Sequence, residues 1–191
     1  MKKIKLALFA SGNGSNALNI IDYFSSSSLI EIGFVLTNKK DAPIVELAQK
    51  KNVETLILSN DEVSNGALLT KICFEKGIDF IILAGYLRKI PVELLTNYSN
   101  KMINVHPALL PKFGGQGMYG NNVHKAVFES EEFETGITIH FVNEHFDEGR
   151  VIAQFHCEVN KNDTIETIQA KVQKLEHTYF PIVIEKTILG H

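Results

Sequence analysis

Along the first half of the chain, short apolar runs alternate with segments whose apolar residues recur every three or four positions. Ile4 to Ala10 reads as a first strand, and a helix starting near Ser15 closes on Ile20, Ile21, Tyr23 and Phe24. Ile30 to Thr37 predicts a second strand, with Gly33 inside it. Pro43 suits the first turn of a helix whose apolar face is Ile44, Leu47 and Ala48. Val53 to Leu58 reads as a third strand. Leu68, Leu69, Ile72 and Cys73 place a helix on Asp61 to Lys76, which Gly77 would end. Phe80 to Ala84 is a continuous apolar run, as in a strand covered on both faces. Strand, helix, strand, repeated, predicts an α/β fold: a Rossmann-like, mostly parallel sheet with helices on both faces. Ligands in such sheets sit beyond the carboxyl ends of the strands. That rule singles out Ser11 to Asn16, Thr37-Asn38, Gly85 to Ile90 and Asn104 to Pro111.

After a strand at Met102 to Val105 the pattern changes. A glycine-rich stretch runs from Gly114 to Gly120, followed by a short helix over Asn122 to Ser130. Gly136 to Val142 and Val151 to Val159 read as two strands joined by a short polar turn, which suits antiparallel pairing. A last helix starts at Asp163 or Thr164, with Glu166 and Thr167 in its first turn and Ile168, Val172, Leu175 and Tyr179 on its apolar face. Pro181 is expected to kink or interrupt it. No linker or repeat divides the 191 residues, so residues 1–191 are expected to form one domain.

Composition narrows the function classes. Nineteen Lys+Arg against 22 Asp+Glu give a net charge of −3, which argues against a nucleic-acid binder. Cys73 and Cys157 form no CxxC and suggest two small hydrophobes in a reducing cytoplasm. The apolar run after Met1-Lys2-Lys3 is too short for a signal peptide or a membrane span. A cytoplasmic protein without a membrane partner is expected. None of the seven His falls into a metal-binding spacing, and His140 and His156 read as single strand residues.

Three loops carry candidate chemistry. Ser11-Gly-Asn-Gly-Ser-Asn16 joins a strand to a helix, where glycines let backbone N–H groups approach an anion and the helix start favours negative charge. With Ala17 it fits the dinucleotide pattern, but the second strand ends in Leu36-Thr37-Asn38 without the carboxylate that holds a ribose. A single phosphate fits better than NAD, and a tight turn without a ligand remains open. In Asn104-Val105-His106, residues two apart on a strand face the same way. An amide donor beside an imidazole can stabilise an oxyanion and move a proton, although a hydrogen-bonded strand-end His would look the same. Asp147, in the turn Phe146-Asp-Glu-Gly149, matters only if it meets His106.

Taken together, these loops resemble the folate-dependent phosphoribosylglycinamide formyltransferases. The likeness rests on Ser11 to Asn16, Asn104-Val-His-Pro-Ala-Leu-Leu-Pro111, Gly136-Ile-Thr-Ile-His-Phe-Val142 and Phe146 to Gly149, and it spans nearly the whole chain. Gly85-Tyr-Leu-Arg88 and Gln173-Lys-Leu-Glu-His177 fit the same family. The resemblance implies the formyltransferase fold and formyl transfer from 10-formyltetrahydrofolate to the amine of glycinamide ribonucleotide, a step of purine synthesis. It assigns catalysis to Asn104, His106 and Asp147, with Asn104 and His106 on the oxyanion and Asp147 keeping His106 charged. It assigns Gly12, Asn13, Gly14, Ser15 and Asn16 to the substrate phosphate and Glu176 to its sugar. The folate pocket would take Leu87, Arg88, Lys89 and Ile90 with Asn143, Glu144, His145 and Phe146. Lys89 replaces a usual apolar residue, and the loop from Phe113 to Val123 is longer and richer in glycine than is common. The family implies no metal, small-molecule partners only, and a monomer or homodimer. Two rival readings are a nucleotide-binding module without catalysis, which needs no convergence of Asn104, His106 and Asp147, and a formyltransferase acting on another amine such as an amino-sugar nucleotide.

Overall fold

The computed structural model describes residues 2–190 and contains seven strands and seven helices among them. The strands β1 (Ile4–Phe9), β2 (Ile30–Thr37), β3 (Thr55–Ile57), β4 (Phe80–Leu83), β5 (Met102–His106), β6 (Glu134–Phe141) and β7 (Val151–Glu158) follow the order β3-β2-β1-β4-β5-β6-β7 in a seven-stranded mixed sheet. The helices are α1 (Ser15–Phe24), α2 (Pro43–Lys50), α3 (Asn60–Val63), α4 (Gly66–Glu75), α5 (Val92–Asn97), α6 (Asn121–Glu129) and α7 (Ile165–Leu189). The chain divides into two compact units, residues 1–103 and 104–191.

In the first unit, β1 pairs in parallel with β2 and β4, and β2 in parallel with β3. Leu6 to Ala10 and Phe34 to Leu36 are fully buried, as the continuous apolar runs require. The β1–β2 register slips between Leu6–Ile32 and Ala7–Phe34, so Gly33 is the extra residue of a bulge. The helix expected over Asp61 to Lys76 is two helices, α3 and α4. Ser59 and Glu62 form a reciprocal capping box on α3, and the Asn65 side chain accepts from Leu68 N at 3.0 Å to start α4. Two strong caps within seven residues outweigh one continuous apolar stripe. The helix α5, which the apolar pattern does not mark, follows Pro91 and buries only Leu94.

In the second unit, β6 and β7 are antiparallel, as the short turn suggests. The Thr164 side chain accepts from Thr167 N and begins α7. Ile168 and Val172 are buried on its inner face, and Tyr179 stacks on Phe155 with ring centroids 3.8 Å apart. Pro181 does not interrupt the helix. The chain leaving β5 is braced by Thr138 of β6, which is fully buried. Its hydroxyl donates to Ala108 O at 2.7 Å and accepts from Leu110 N at 3.0 Å. Among the described residues no helix is long and apolar enough to cross a membrane.

Candidate active site

The first unit carries an open cleft of about 430 Å³ lined by Ser11, Gly12, Asn13 and Lys39 to Pro43. It opens where two helices begin. Gly14, at a left-handed φ of 73°, precedes α1, and Ala42 precedes α2; neither helix start is capped by a side chain. Helix starts without side-chain caps, beside Lys39 and Lys40, make an environment for a small anion. Ser11 holds the floor: its N–H donates to Gly85 O, and its hydroxyl donates to Asn38 Oδ1 at 3.1 Å and accepts from Leu87 N at 3.2 Å. Asn38 also donates to Asn60 Oδ1 at 2.9 Å. The position where a ribose-holding carboxylate would stand is therefore a neutral amide engaged in structure.

The second unit brings Asn104, His106 and Asp147 together, along with one residue the sequence reading set aside. Asn104 and His106 lie two apart on β5. His106 Nδ1 is 3.4 Å from Asp147 Oδ2, and its Nε2 donates to Phe113 O at 2.8 Å. Both ring nitrogens thus face oxygen acceptors, an arrangement the doubly protonated ring satisfies. Asp147 sits at a left-handed φ of 59° in the β6–β7 turn, and its Oδ2 also accepts from Gly115 N at 3.0 Å. Asn104 Nδ2 is 3.1 Å from Nε2 of His140, which itself lies 3.7 Å from Asp147 Oδ1. His106 and His140 are 3% and 2% exposed, so the cluster is largely shielded from bulk water.

The electrostatics follow from that shielding. Burial pushes the Asp147 carboxyl up, but the His106 hydrogen bond and charge, the Gly115 N–H and His140 hold it below its ordinary value. Burial pushes His140 down, against the opposing pull of its bond to Phe141 O and the Asp147 charge, and the His106 charge lowers it further. His124 on α6 is lowered by burial and then by the His106 charge. A neutral His140 and an ionised Asp147 therefore flank His106.

The other expected site residues divide between the two units. Gly12 and Asn13 are exposed in the cleft, whereas Asn16 is buried on α1. Leu87, Arg88 and Lys89 are exposed after β4 and Ile90 is buried. Asn143, Glu144, His145 and Phe146 are exposed in the β6–β7 turn, where Asn143 Oδ1 accepts from His145 N at 3.0 Å. Glu176 is half-buried on α7. Four residues were missed. Lys39 and Lys40 carry no motif. His124 has no informative spacing. His140 was passed over as an isolated strand His, although it follows Thr138 on the same face of β6.

Buried donors converging on an imidazole–carboxylate pair, on an α/β sheet, are the apparatus of acyl-type transfer. Residues 4–184 match the family described as formyl transferase, and the chain belongs to that family. Within it, this chain groups with the phosphoribosylglycinamide formyltransferases. The protein of that name from Bacillus subtilis (strain 168) is 35% identical over 191 residues, covering 97% of this chain and 95% of the relative. The chloroplastic protein of that name from Arabidopsis thaliana is 42% identical over 189 residues. This chain spans 65% of its length. The crystal structure of phosphoribosylglycinamide formyltransferase from Campylobacter jejuni subsp. jejuni NCTC 11168 superposes with a TM-score of 0.88 at 31% identity, covering 98% of each chain.

Proposed function

We propose that the protein transfers a formyl group from 10-formyltetrahydrofolate to the amine of glycinamide ribonucleotide. The observation that carries this reading is the buried His106–Asp147 pair, with Asn104 two residues away on the same strand. The amine nitrogen attacks the formyl carbon, and the carbonyl oxygen becomes a tetrahedral oxyanion. An amide hydrogen of Asn104 and the Nε2–H of His106 stabilise that charge, the substrate oxygen taking the place of the Phe113 carbonyl. Asp147, ionised beside the ring, faces Nδ1 and holds the imidazole so that its Nε2–H points at the developing oxyanion. The bond from the formyl carbon to the folate nitrogen then breaks. The proton lost by the attacking amine reaches the departing nitrogen through His106 or an ordered water.

The ribonucleotide phosphate is assigned to Gly12 to Asn16, with Lys39 and Lys40 adding positive charge at the same cleft. Glu176 is assigned to the sugar hydroxyls. Leu87 to Ile90 and Asn143 to Phe146 are assigned to the folate. The family membership and the Bacillus subtilis relative's name support the choice of amine over an amino-sugar nucleotide.

The test is to mix the purified protein with both substrates and follow tetrahydrofolate release by absorbance. Release that requires both substrates is the expected result. Release without the ribonucleotide would indicate a hydrolase, and ribonucleotide binding with no release would favour a binding module.

A further inference from the structure

His140 belongs to no part of the mechanism above, yet it is buried against Asn104 in the middle of the cluster. Its Nδ1 lies 2.9 Å from Phe141 O. A carbonyl oxygen only accepts, so Nδ1 carries a hydrogen. Burial holds the ring in its neutral form, so it has one proton and Nε2 presents a lone pair. The Asn104 atom 3.1 Å from that lone pair must be a donor, and it is the amide nitrogen. A flipped amide would set Oδ1 against Nε2, two acceptors with no proton between them.

The backbone is shaped for this contact. The β6–β7 register slips between Ile139–Ala153 and His140–Val151, leaving Ile152 as an extra residue beside His140. Such bulges re-aim a neighbouring side chain. Gly149 lies so close that a Cβ there would collide with Phe141 O and would approach His140 Nδ1 at 3.4 Å. The carbonyl that fixes the His140 tautomer thus occupies space that only a residue without a side chain at position 149 leaves open.

We propose that His140 is a positioning residue that locks the amide of Asn104 in one orientation, engaging one amide hydrogen and reserving the other for the oxyanion. This rests on the formyl-transfer reading for its kinetic consequence but not for its structural content. The charged and titratable groups around the ring are Asp147, 3.7 Å away, and His106. Neither contacts Nδ1, so the tautomer is set by Phe141 O.

Four variants and one spectrum test it. His140→Met keeps bulk without an acceptor, and His140→Gln restores an acceptor near the Nε2 position. With both substrates, His140→Met is expected to lose at least about tenfold in kcat, with either KM changed by less than about twofold, since an undirected donor is lost only where charge develops. His140→Gln is expected to stay within about threefold of the parent protein. The double variant His140→Met with Asn104→Ala is expected to be no slower than Asn104→Ala alone, because His140 acts through that amide. A long-range ¹H–¹⁵N spectrum of the unmodified protein should show a neutral His140 ring protonated at Nδ1.

The idea is overturned if His140→Met turns over at the parent rate, if Gln is as slow as Met, if the two losses multiply, or if the ring carries its proton on Nε2. Should the parent protein fail to transfer formyl at all, the functional reading falls. The ring tautomer, and a shift of the Asn104 side-chain amide resonances in His140→Met, still decide the positioning claim.

Discussion

A few side chains carry most of the chemistry because burial magnifies what each one does. His106→Ala should still fold, since the apolar core of the sheet is built from other residues. It should retain only about one part in 10²–10³ of the turnover, the usual cost of one oxyanion donor; steady-state rates per folded molecule would check this, with the melting midpoint lowered because Asp147 loses its buried partner. Asp147 makes a prediction about pH. Its folded pKa lies below the ordinary carboxylate value, chiefly because His106 and Gly115 overcome the cost of burial. The sign follows: the folded state binds this proton less readily than the unfolded chain. Its stabilisation is therefore present above the unfolded pKa of about 3.9 and is lost as pH falls through the lower folded value. Denaturant titrations of the parent protein and Asp147→Asn should accordingly differ near neutrality and converge as the pH drops below about 4.

Individual elements are held by local chemistry, some of it bracing the site and some of it remote from it. Thr138 makes three hydrogen bonds, to Ala108 O, from Leu110 N and from Gln154 Nε2, the last at 2.8 Å. Thr138→Val keeps the shape but leaves buried partners unmatched, which typically costs about 1–3 kcal/mol per unsatisfied group. Because Ala108 and Leu110 belong to the segment leaving β5, a drop in stability should come with a loss of turnover. The capping box on α7 behaves differently. Thr164→Ala should cost about 1 kcal/mol and lower the melting midpoint by roughly 2–4 °C, with activity per folded molecule unchanged. Calorimetry alongside rate measurements separates the two cases. The split between α3 and α4 shows the same local logic. The capping signals at Ser59, Glu62 and Asn65 were present in the sequence, but the continuous apolar spacing hid them.

Across the whole molecule, the net charge of −3 leaves no general pull on an anionic ligand, so attraction must come from local sites. In the first unit that role falls to Lys39 and Lys40 beside two helix starts. The double charge reversal Lys39→Glu with Lys40→Glu should raise the KM for the ribonucleotide by tenfold or more, on the order of 1.4 kcal/mol or above, while leaving kcat and the melting midpoint nearly unchanged. Both lysines are exposed, so the substitution perturbs the field of the cleft rather than its packing. A kcat loss of the same size would place these lysines in the chemical step instead.

The sequence alone determined the strand and helix alternation, most element bounds and the three loops, because hydrophobic period, glycine position and capping residues report local backbone preference. It also determined that Asn104 and His106 share a face, since strand residues alternate with a period of two. Tertiary structure decided what those residues meet. Asp147 reaches His106, and His140 reaches Asn104 across 36 positions of chain, only because β6 pairs with β7 in a bulged register and the turn between them holds Asp147 at a positive φ. Pairwise convergence of this kind depends on register and burial between distant segments, which no local period encodes. The protonation pattern that follows, with His140 neutral and Asp147 ionised, is likewise a property of the closed cluster and not of any residue type within it.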